Sequence, residues 1–240
     1  MNTDLARLVE EARIVCVLTG AGISTESGIP DFRSPGGIWS KYRIIEYGEF
    51  MANEAAQLED WRRRFDMEDQ LGIVEPNAGH RWIAGLVRSG KCPHVVTQNI
   101  DGLHQQSGVP AERVIELHGN ARHAYCTDCE TRHEIAECRA MLEATGNAPQ
   151  CRECGGIVKS GVVMFGEMMP QTALGRAEDA ARDCDLFIAM GTSLVVHPAA
   201  MLPVHAKRAG AKLAIVNREA TDFDEFADLV IHAEIGATVS

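Results

Sequence analysis

Six short hydrophobic runs, separated by stretches with helical periodicity, are the main pattern in this chain. Apolar residues at positions 5, 8, 9 and 12 have the spacing of an amphipathic helix, and residues 172–182 and 199–209 are further helix candidates. Strands that alternate with helices are typical of a mostly parallel α/β sheet with helices on both faces. The predicted strands cover residues 14–18, 94–96, 114–117, 162–165, 186–190 and 213–216.

Each predicted strand ends in a polar or glycine-bearing segment. Ligands of open α/β sheets bind outside the carboxyl ends of the strands, so these segments together predict a binding site. A single polar segment after a strand is common in loops, whereas six such segments indicate a ligand-binding site. The tips are Thr19-Gly20-Ala21-Gly22, Thr97-Gln98-Asn99-Ile100-Asp101, His118-Gly119, Gly166-Glu167, Gly191-Thr192-Ser193 and Asn217.

Two segments interrupt the alternation of strands and helices. Residues 38–76 are charged and aromatic and predict inserted helices, and residues 123–157 hold four cysteines in two pairs. We expect both segments to form a smaller helical and zinc-ribbon domain, beside a Rossmann-like domain of residues 1–37, 77–122 and 158–240. The substrate cleft is expected between the two domains.

The four cysteines of the second segment have the spacing of a structural zinc site. Cys126 and Cys129 form one Cys-x2-Cys pair, and Cys151 and Cys154 form another. A site closed by four sulfurs leaves no position for water, so the zinc ion would stabilise the fold and take no part in the chemistry. Chance pairs of buried thiols are the alternative. A redox role is disfavoured because neither pair lies at a strand–helix junction.

Composition and charge describe an ordinary globular chain with an acidic surface. The 240 residues are 45% hydrophobic and 24% charged, and the formal net charge of -11 disfavours direct binding to nucleic acid. The first thirteen residues are polar, and the apolar run that follows is too short to span a bilayer, so we expect a cytoplasmic protein without membrane contacts. Eight cysteines in such a protein favour metal ligands or free thiols over disulfides.

The glycine-rich tip after the first strand is the candidate phosphate site. Gly20-Ala21-Gly22 lets backbone N–H groups approach a pyrophosphate, although a tight structural turn gives the same pattern. The dinucleotide fingerprint is incomplete, because Thr25 occupies the third glycine position and no strand ending in an acidic residue follows roughly twenty residues later. The sequence therefore argues against hydride transfer with NAD.

Several of these segments together resemble the motifs of the sirtuins, the NAD-dependent protein lysine deacylases. The resemblance extends from about residue 14 to residue 235 and keeps five motifs in order, with the cysteine pairs between the third and the fourth. The motifs are Gly20-Ala21-Gly22-Ile23-Ser24-Thr25-Glu26-Ser27-Gly28-Ile29-Pro30-Asp31-Phe32-Arg33-Ser34, Thr97-Gln98-Asn99-Ile100-Asp101-Gly102-Leu103-His104, Leu117-His118-Gly119, Val162-Val163-Met164-Phe165-Gly166-Glu167 and Gly191-Thr192-Ser193-Leu194-Val195-Val196-His197-Pro198.

The resemblance implies an enzyme with NAD as co-substrate and one structural zinc ion. In that family nicotinamide is expelled, the acyl oxygen of an acylated lysine attacks the ribose carbon, and a histidine assists a ribose hydroxyl in attacking the resulting imidate. The products are nicotinamide, free lysine and O-acyl-ADP-ribose. The implied partners are acylated-lysine proteins or peptides, which would add as an extended strand between the domains.

The resemblance also assigns roles to individual residues. His118 matches the family's general base, and an unperturbed pKa of about 6.5 suits that task, although a histidine after an apolar run is more often structural. Asn99 and Asp101 match the pocket for nicotinamide and its ribose, and complete the expected catalytic set with His118. The expected NAD contacts are Gly20, Ala21, Gly22, Thr25, Phe32, Arg33, Gln98, Asn99, Ile100, Asp101, Gly191, Thr192, Ser193, Asn217 and Ile235.

The acyl-lysine side of the site is expected to be apolar, because an apolar tunnel admits a neutral acylated lysine and disfavours a charged amine. The residues that match this tunnel are Val163, Phe165, Gly166 and Val196. Family members that prefer acidic acyl groups carry Tyr-x-x-Arg in the helical insertion, where this chain has Trp61-x-x-Arg64. Acetyl or a longer hydrophobic acyl group is the first expectation, and Arg64 leaves succinyl-type chains open.

Three other functions fit parts of the sequence. A protein mono-ADP-ribosyltransferase would use the same pocket with a different nucleophile. A non-catalytic sensor module would bind NAD and zinc without releasing nicotinamide, but the joint presence of His118, Asn99 and Asp101 counts against it. A zinc-ribbon nucleic-acid binder is disfavoured by the acidic balance and by the lack of a basic patch around the cysteines.

Overall fold

The computed structural model describes residues 1–240 and contains nine strands in two sheets. Six of the strands form one parallel sheet, and three form a smaller antiparallel sheet. The strands are β1 Val15–Thr19, β2 Val95–Thr97, β3 Val114–Glu116, β4 Gly119–Cys126, β5 Arg132–Glu134, β6 Val158–Val162, β7 Leu186–Met190, β8 Lys212–Val216 and β9 Leu229–Ile231.

The large sheet has the order β3-β2-β1-β7-β8-β9, and every neighbouring pair in it is parallel. In chain order, the strands of the large sheet run from the centre (β1) to one edge (β3), and then from the centre (β7) to the other edge (β9). This order reverses between β1 and β7, which is the switch point where open α/β sheets bind ligands. The predicted Rossmann-like parallel sheet is confirmed.

Two of the strand assignments need correction. Residues 162–165 were expected to be a strand of the large sheet, but only Val162 belongs to a strand, β6, and β6 pairs antiparallel with β4 in the small sheet. The sixth strand of the large sheet is β9, which the sequence did not predict. β9 has three residues, all of them half-buried at the sheet edge, so its hydrophobic signal is weak.

Alternate residues along each central strand face opposite cores, because side chains in a strand point to opposite sides of the sheet. Val15 and Val17 of β1 lie in one hydrophobic cluster, whereas Cys16 and Leu18 lie in the other. All five residues of β1 are buried. Burial on both faces explains why these strands appear in the sequence as continuous apolar runs.

The helices that cover the sheet follow the predicted pattern. The predicted helices over residues 172–182 and 199–209 correspond to Gln171–Asp183 and to a short 3-10 turn continued by Leu202–Arg208. The α-helices are α1 Thr3–Glu11, α2 Ile38–Lys41, α3 Tyr47–Ala52, α4 Glu54–Leu71, α5 Ala78–Arg88, α6 Leu103–Gln106, α7 Ile135–Thr145, α8 Gln171–Asp183, α9 Leu202–Arg208 and α10 Ile235–Val239. None of them is long and apolar enough to cross a membrane.

The inserted helix α4 packs against the small sheet. Trp61 and Phe65 of α4 share a hydrophobic cluster with Cys126, Cys138 and Cys151. The two segments that interrupt the sheet topology therefore have a common core. On this basis we propose that residues 38–76 and 123–157 form a second, smaller domain.

Candidate active site

Five strand tips of the large sheet meet at one cavity of about 480 Å³. We call it the main cavity, and the tips of β1, β2, β3, β7 and β8 line it. Val162, the last residue of β6, and residues 163–167, which follow it, also line the cavity. Of the expected NAD contacts, only Asp101 is absent from its walls.

Three glycines hold the tips of β1 and β7 together. A Cβ atom on Gly20 would lie 2.8 Å from the carbonyl oxygen of Gly191, and one on Gly22 would lie 2.8 Å from the same oxygen. Gly191 has a φ of +63°, a conformation that disfavours other residues. The small residues are therefore required for the packing of two backbone segments, in addition to any approach to a phosphate.

His118 follows β3 and presents one free ring nitrogen to the main cavity. Its Nδ1 atom lies 3.0 Å from the carbonyl oxygen of Gln98, which can only accept a hydrogen bond. Nδ1 therefore carries the proton, and Nε2 keeps a lone pair. Burial lowers the pKa of His118 below its ordinary value of 6.5, and the bond to Gln98 opposes that shift. The imidazole is thus neutral and able to accept a proton at pH 7.

Asn99 and Asp101 are held by a compact set of hydrogen bonds at the tip of β2. The Asn99 Nδ2 group donates to the carbonyl of Gly20 at 3.0 Å and to Ser24 Oγ at 3.2 Å. Ser24 Oγ donates in turn to Asp101 Oδ2 at 2.7 Å. Ser24 is buried and was not singled out from the sequence, although it lies in the first motif.

Asp101 faces a second cavity of about 520 Å³. We call it the adjoining cavity, because it shares Ala21, Asn99 and Ile100 with the main cavity. The structure therefore brings His118 and Asn99 to one space and places Asp101 just behind Asn99. Asp101 also accepts a hydrogen bond from the backbone N–H of Leu103 at 2.9 Å, which closes the turn after β2.

Phe32 and Arg33 belong to an aromatic cluster at the mouth of the main cavity. The Arg33 guanidinium lies 4.3 Å from the ring centroid of Trp39, and Phe32 lies 5.6 Å from the same ring. Trp39 also contacts Phe165 at 5.6 Å. Trp39 thus connects Phe32, in the expected NAD-binding loop, with Phe165, in the expected substrate-binding segment. Its position in the inserted segment did not indicate this contact.

Several expected NAD contacts already have partners within the protein. Gln98 donates to Thr192 Oγ1 at 2.9 Å, which joins the tips of β2 and β7. Thr25 Oγ1 donates to the carbonyl of Gly22 at 2.9 Å, and Asn217 Nδ2 donates to the carbonyl of Glu219 at 2.7 Å. These bonds fix the orientation of the side chains at the wall of the cavity. Ile235, at the start of α10, is almost fully buried beside them.

The expected acyl-lysine residues Val163, Phe165, Gly166 and Val196 all line the main cavity. Val163 and Val196 are half-buried, whereas the Phe165 side chain is 44% exposed. The backbone N–H of Val163 donates to the carbonyl of His118 at 2.9 Å. This bond places the segment directly beside the histidine.

Trp61 and Arg64 are positioned differently from one another. The Trp61 indole is fully buried, stacks on Phe65 and donates to the carbonyl of Val158 at 3.0 Å, and it does not line the main cavity. Arg64 does line the main cavity, but its Nε atom donates to Asp60 Oδ2 at 2.8 Å. Asp60, which no sequence motif marks, also lines the main cavity and compensates the charge of Arg64.

The four paired cysteines converge at one point beside the small sheet. Their sulfur atoms all lie within 4.8 Å of one another, and the Sγ atoms of Cys126 and Cys154 are 3.4 Å apart. Tetrahedral zinc with Zn–S bonds of about 2.3 Å requires sulfurs about 3.8 Å apart, so the donor set fits this ion. Two of the cysteines are buried and two are exposed, and none lines the main cavity.

Comparisons with known proteins agree with this geometry. Residues 20–198 match the model of the Sir2 family. The chain is 52% identical to an "NAD-dependent protein deacetylase" of Rhodopseudomonas palustris, over 98% of this chain and 93% of the relative. It is 43% identical to an "NAD-dependent protein deacylase 2" of Archaeoglobus fulgidus, over 96% of this chain and 90% of the relative.

Solved structures of Sir2 enzymes have the same fold. A Sir2 structure with a deacetylated p53 peptide and 3'-O-acetyl ADP-ribose superimposes with a TM-score of 0.90 at 38% identity, over 100% of this chain and 96% of that one. A Sir2 complex with a p53 peptide and NAD+ gives a TM-score of 0.88 at 37% identity, over 99% and 95% of the two chains. With a family match over most of its length and relatives above half identity, this chain belongs to the Sir2 family, the sirtuins.

Proposed function

We propose that this protein removes acetyl groups from protein lysines at the expense of NAD, giving nicotinamide, free lysine and O-acetyl-ADP-ribose. The observation that carries the proposal is the position of His118. Its unprotonated Nε2 faces the main cavity, which Asn99 and the glycine tips of β1 and β7 also line. Family membership supports NAD-dependent deacylation, and the geometry supports the assignment of roles to individual residues.

His118 acts as the general base. The Gln98 carbonyl holds the Nδ1 proton, so the ring accepts a second proton at Nε2, and the carbonyl stabilises the imidazolium that results. The lowered pKa of His118 keeps the base form populated at neutral pH. Bound NAD supplies an electrophilic ribose carbon and the ribose hydroxyl from which His118 takes the proton.

Asn99 and Asp101 bind the nicotinamide side. Because the Nδ2 group of Asn99 donates to Gly20 and Ser24, its Oδ1 atom is left as an acceptor for a carboxamide N–H. The Asp101 carboxylate lies behind it, fixed by Ser24, and favours the positive charge that develops as nicotinamide departs. Both groups are set in place before the substrate arrives, so little reorganisation is needed during the reaction.

The acyl-lysine peptide binds along the segment after β6. The N–H groups of Phe165 and Gly166 donate to no group of the protein, which leaves them for the backbone of an extended peptide. Gly191 and Val196, which also line the main cavity, belong to the loop after β7. Recognition through the backbone tolerates many peptide sequences, so we propose that acylated-lysine proteins of varied sequence are substrates.

Acetyl is the proposed acyl group because Arg64 is already paired. Its bond to Asp60 is formed between side chains that are 21% and 16% exposed, so the two charges largely cancel in a poorly hydrated place. A carboxylate at the end of a succinyl chain would have to compete with Asp60. A short neutral acyl group avoids this competition.

The experiment that tests the proposal is nicotinamide release by the purified protein with NAD, in the presence of acetyl-, succinyl- or long-chain acyl-lysine peptides. We expect release that depends on the acetyl peptide and matches the amount of free lysine. His118→Ala should abolish the formation of free lysine while retaining zinc, because the base acts after nicotinamide has been expelled. His123→Ala is the matched control, because His123 lies on β4 outside the main cavity and contacts Tyr125.

Two results would contradict the proposal. Near-normal turnover by His118→Ala would remove the assigned base. Transfer of label from the adenosine-ribose end of NAD onto protein, without formation of free lysine, would replace deacylation by mono-ADP-ribosylation.

A further inference from the structure

Two buried histidines lie behind the nicotinamide side of the site and outside the main cavity. His80, in the first turn of α5, is 0% exposed, and His104, in α6, is 1% exposed. Their ring centroids are 5.1 Å apart, with the ring planes inclined by 61°. Neither residue has a role in the reaction described above.

The hydrogen bonds of His104 fix which of its nitrogens carries the proton. Its Nε2 atom lies 2.9 Å from Thr19 Oγ1, and Thr19 Oγ1 donates its own proton to Thr97 Oγ1 at 2.9 Å. With its own proton given to Thr97, Thr19 accepts from His104, which favours the tautomer protonated at Nε2. The other nitrogen, Nδ1, is an acceptor, and it is buried without a partner.

In His80 the nitrogen without a partner is a donor, in contrast to the unpaired acceptor of His104. The backbone N–H of Asn77 donates to His80 Nδ1 at 3.3 Å as part of the capping box of α5. Nδ1 is therefore the acceptor, and the proton of the neutral ring lies on Nε2, which is also buried without a partner. One ring thus has an unpaired donor, and the neighbouring ring has an unpaired acceptor.

We infer that His80 and His104 form a donor–acceptor pair that positions Asn99 and thereby the nicotinamide pocket. The separation of 5.1 Å between the ring centroids is compatible with a hydrogen bond from His80 Nε2–H to His104 Nδ1. The inference rests on the proposed function, since it is Asn99 that gives the pair its effect on nicotinamide.

The pair completes a continuous chain of hydrogen bonds from α5 to the site. Beyond His104 the chain passes through Thr19 and Thr97, and Thr97 Oγ1 accepts the backbone N–H of Asn99 at 3.0 Å. All of these groups are buried, where a polar atom without a partner destabilises the folded state. The chain therefore holds the first residue of the nicotinamide pocket at a fixed place relative to β1 and β2.

Both rings stay neutral over the working pH range. Burial and, to a smaller extent, the neighbouring His80 lower the pKa of His104 to about 3. Burial lowers the pKa of His80 to about 4, with Arg81 acting in the same direction and Asp101 against it. The donor and acceptor pattern is thus constant at the pH values where His118 changes its charge.

The first test reads the tautomers directly and does not depend on activity. Long-range 1H–15N NMR spectra of the 15N-labelled protein, assigned with His104→Gln and His80→Gln, should show both rings protonated at Nε2 only. Neither ring should titrate between pH 5 and pH 8. A ring protonated at Nδ1, or a titration in this range, would overturn the inference.

The second test separates positioning from general stability. In His104→Leu the hydrogen-bond donor to Thr19 is lost. We expect the KM for NAD to rise roughly tenfold, and the KM for free nicotinamide, measured by its exchange into NAD, to rise by a similar factor. The KM for the acetyl peptide should not change. His104→Gln keeps a donor at the place of Nε2 and should restore most of the loss. His94→Leu is the matched control, since His94 Nδ1 is also buried without a partner but lies before β2, at the far end of that strand.

Calorimetric titration of NAD distinguishes failure of this inference from failure of the proposed function. If the wild-type protein binds NAD but releases no nicotinamide, the proposed function is wrong, and the affinity of His104→Leu for NAD still tests the pair. Unchanged NAD affinity and KM in a folded His104→Leu, or equal losses for NAD and peptide, would refute the positioning role. A double variant His80→Phe/His104→Leu should be no worse than His104→Leu alone.

Discussion

Replacement of Gly191 by alanine tests whether the tips of β1 and β7 depend on close backbone approach. An added Cβ would meet the backbone nitrogen of Ile23 and would lie 2.7 Å from the carbonyl carbon of Gly22. Both are backbone atoms, so the clash cannot be relieved by rotating a side chain. In addition, the φ of +63° is unfavourable for alanine.

The expected cost follows from these two terms. A left-handed conformation costs an L-residue roughly 1–2 kcal/mol, and overpacking of a well-packed interior costs about 1–3 kcal/mol. We expect Gly191→Ala to lower the free energy of unfolding by about 3 kcal/mol. For a chain of this size, that corresponds to a fall in Tm of about 6–12 °C. KM for NAD should rise as well, because Gly22 and Ile23 must move.

Thermal unfolding followed by circular dichroism measures the first effect, and initial rates against NAD concentration measure the second. Gly175→Ala is the matched control, because Gly175 lies inside α8 and an added Cβ there meets nothing within 4 Å. This change should stabilise the protein by about 0.5–1 kcal/mol through helix propensity. If Gly191→Ala unfolds at the wild-type temperature, the tips do not depend on this contact.

Three further predictions concern the base, the metal and the acyl group. Because burial lowers the pKa of His118 below 6.5, kcat/KM should fall as the pH drops through a midpoint below 6.5 and stay level from there to pH 8; a midpoint above 6.5 would contradict the assignment. Zinc removal by a chelator should unfold the small domain and abolish deacylation although no cysteine lines the main cavity, and full activity without zinc would refute the structural role. Asp60→Ala should raise kcat/KM for a succinyl-lysine peptide by about tenfold relative to the acetyl peptide by freeing Arg64, whereas an unchanged ratio would mean that Arg64 does not reach the acyl chain.

Strands are easiest to predict from the sequence where burial on both faces of the sheet requires a continuous run of apolar residues. β1, β7 and β8 are buried on both faces, and they appear as unbroken apolar runs. β9 is short and half-exposed, so no such run marks it. The run at 162–165 has the right composition for a strand, but its pairing partner is decided by β4, which is distant in the sequence and cannot be inferred from hydrophobic periodicity.

The site was predictable where function depends on residue type and spacing, and less so where it depends on tertiary contacts. The spacing of the two Cys-x2-Cys pairs is sufficient to predict a zinc site, and the structure brings all four sulfurs together. The position of Trp61 was not predictable in this way, because its indole is directed to the Val158 carbonyl by the packing of α4 on the small sheet. The same holds for Asp60, whose importance depends on its ion pair with Arg64.

The two sides of the main cavity differ in how firmly their side chains are fixed. On the side of the large sheet, Asn99 and Thr192 are buried and hydrogen-bonded within the protein, so their polar atoms are already oriented. On the other side, Phe165 and Trp39 contact one another through rings alone, and Phe165 is 44% exposed. Hydrogen bonds fix the orientation of the side chains that form them, whereas two aromatic rings in contact can shift relative to each other at a small cost in free energy. The NAD side should therefore be stringent for its ligand, and the substrate side should adapt to many peptides and to acyl chains of different shape.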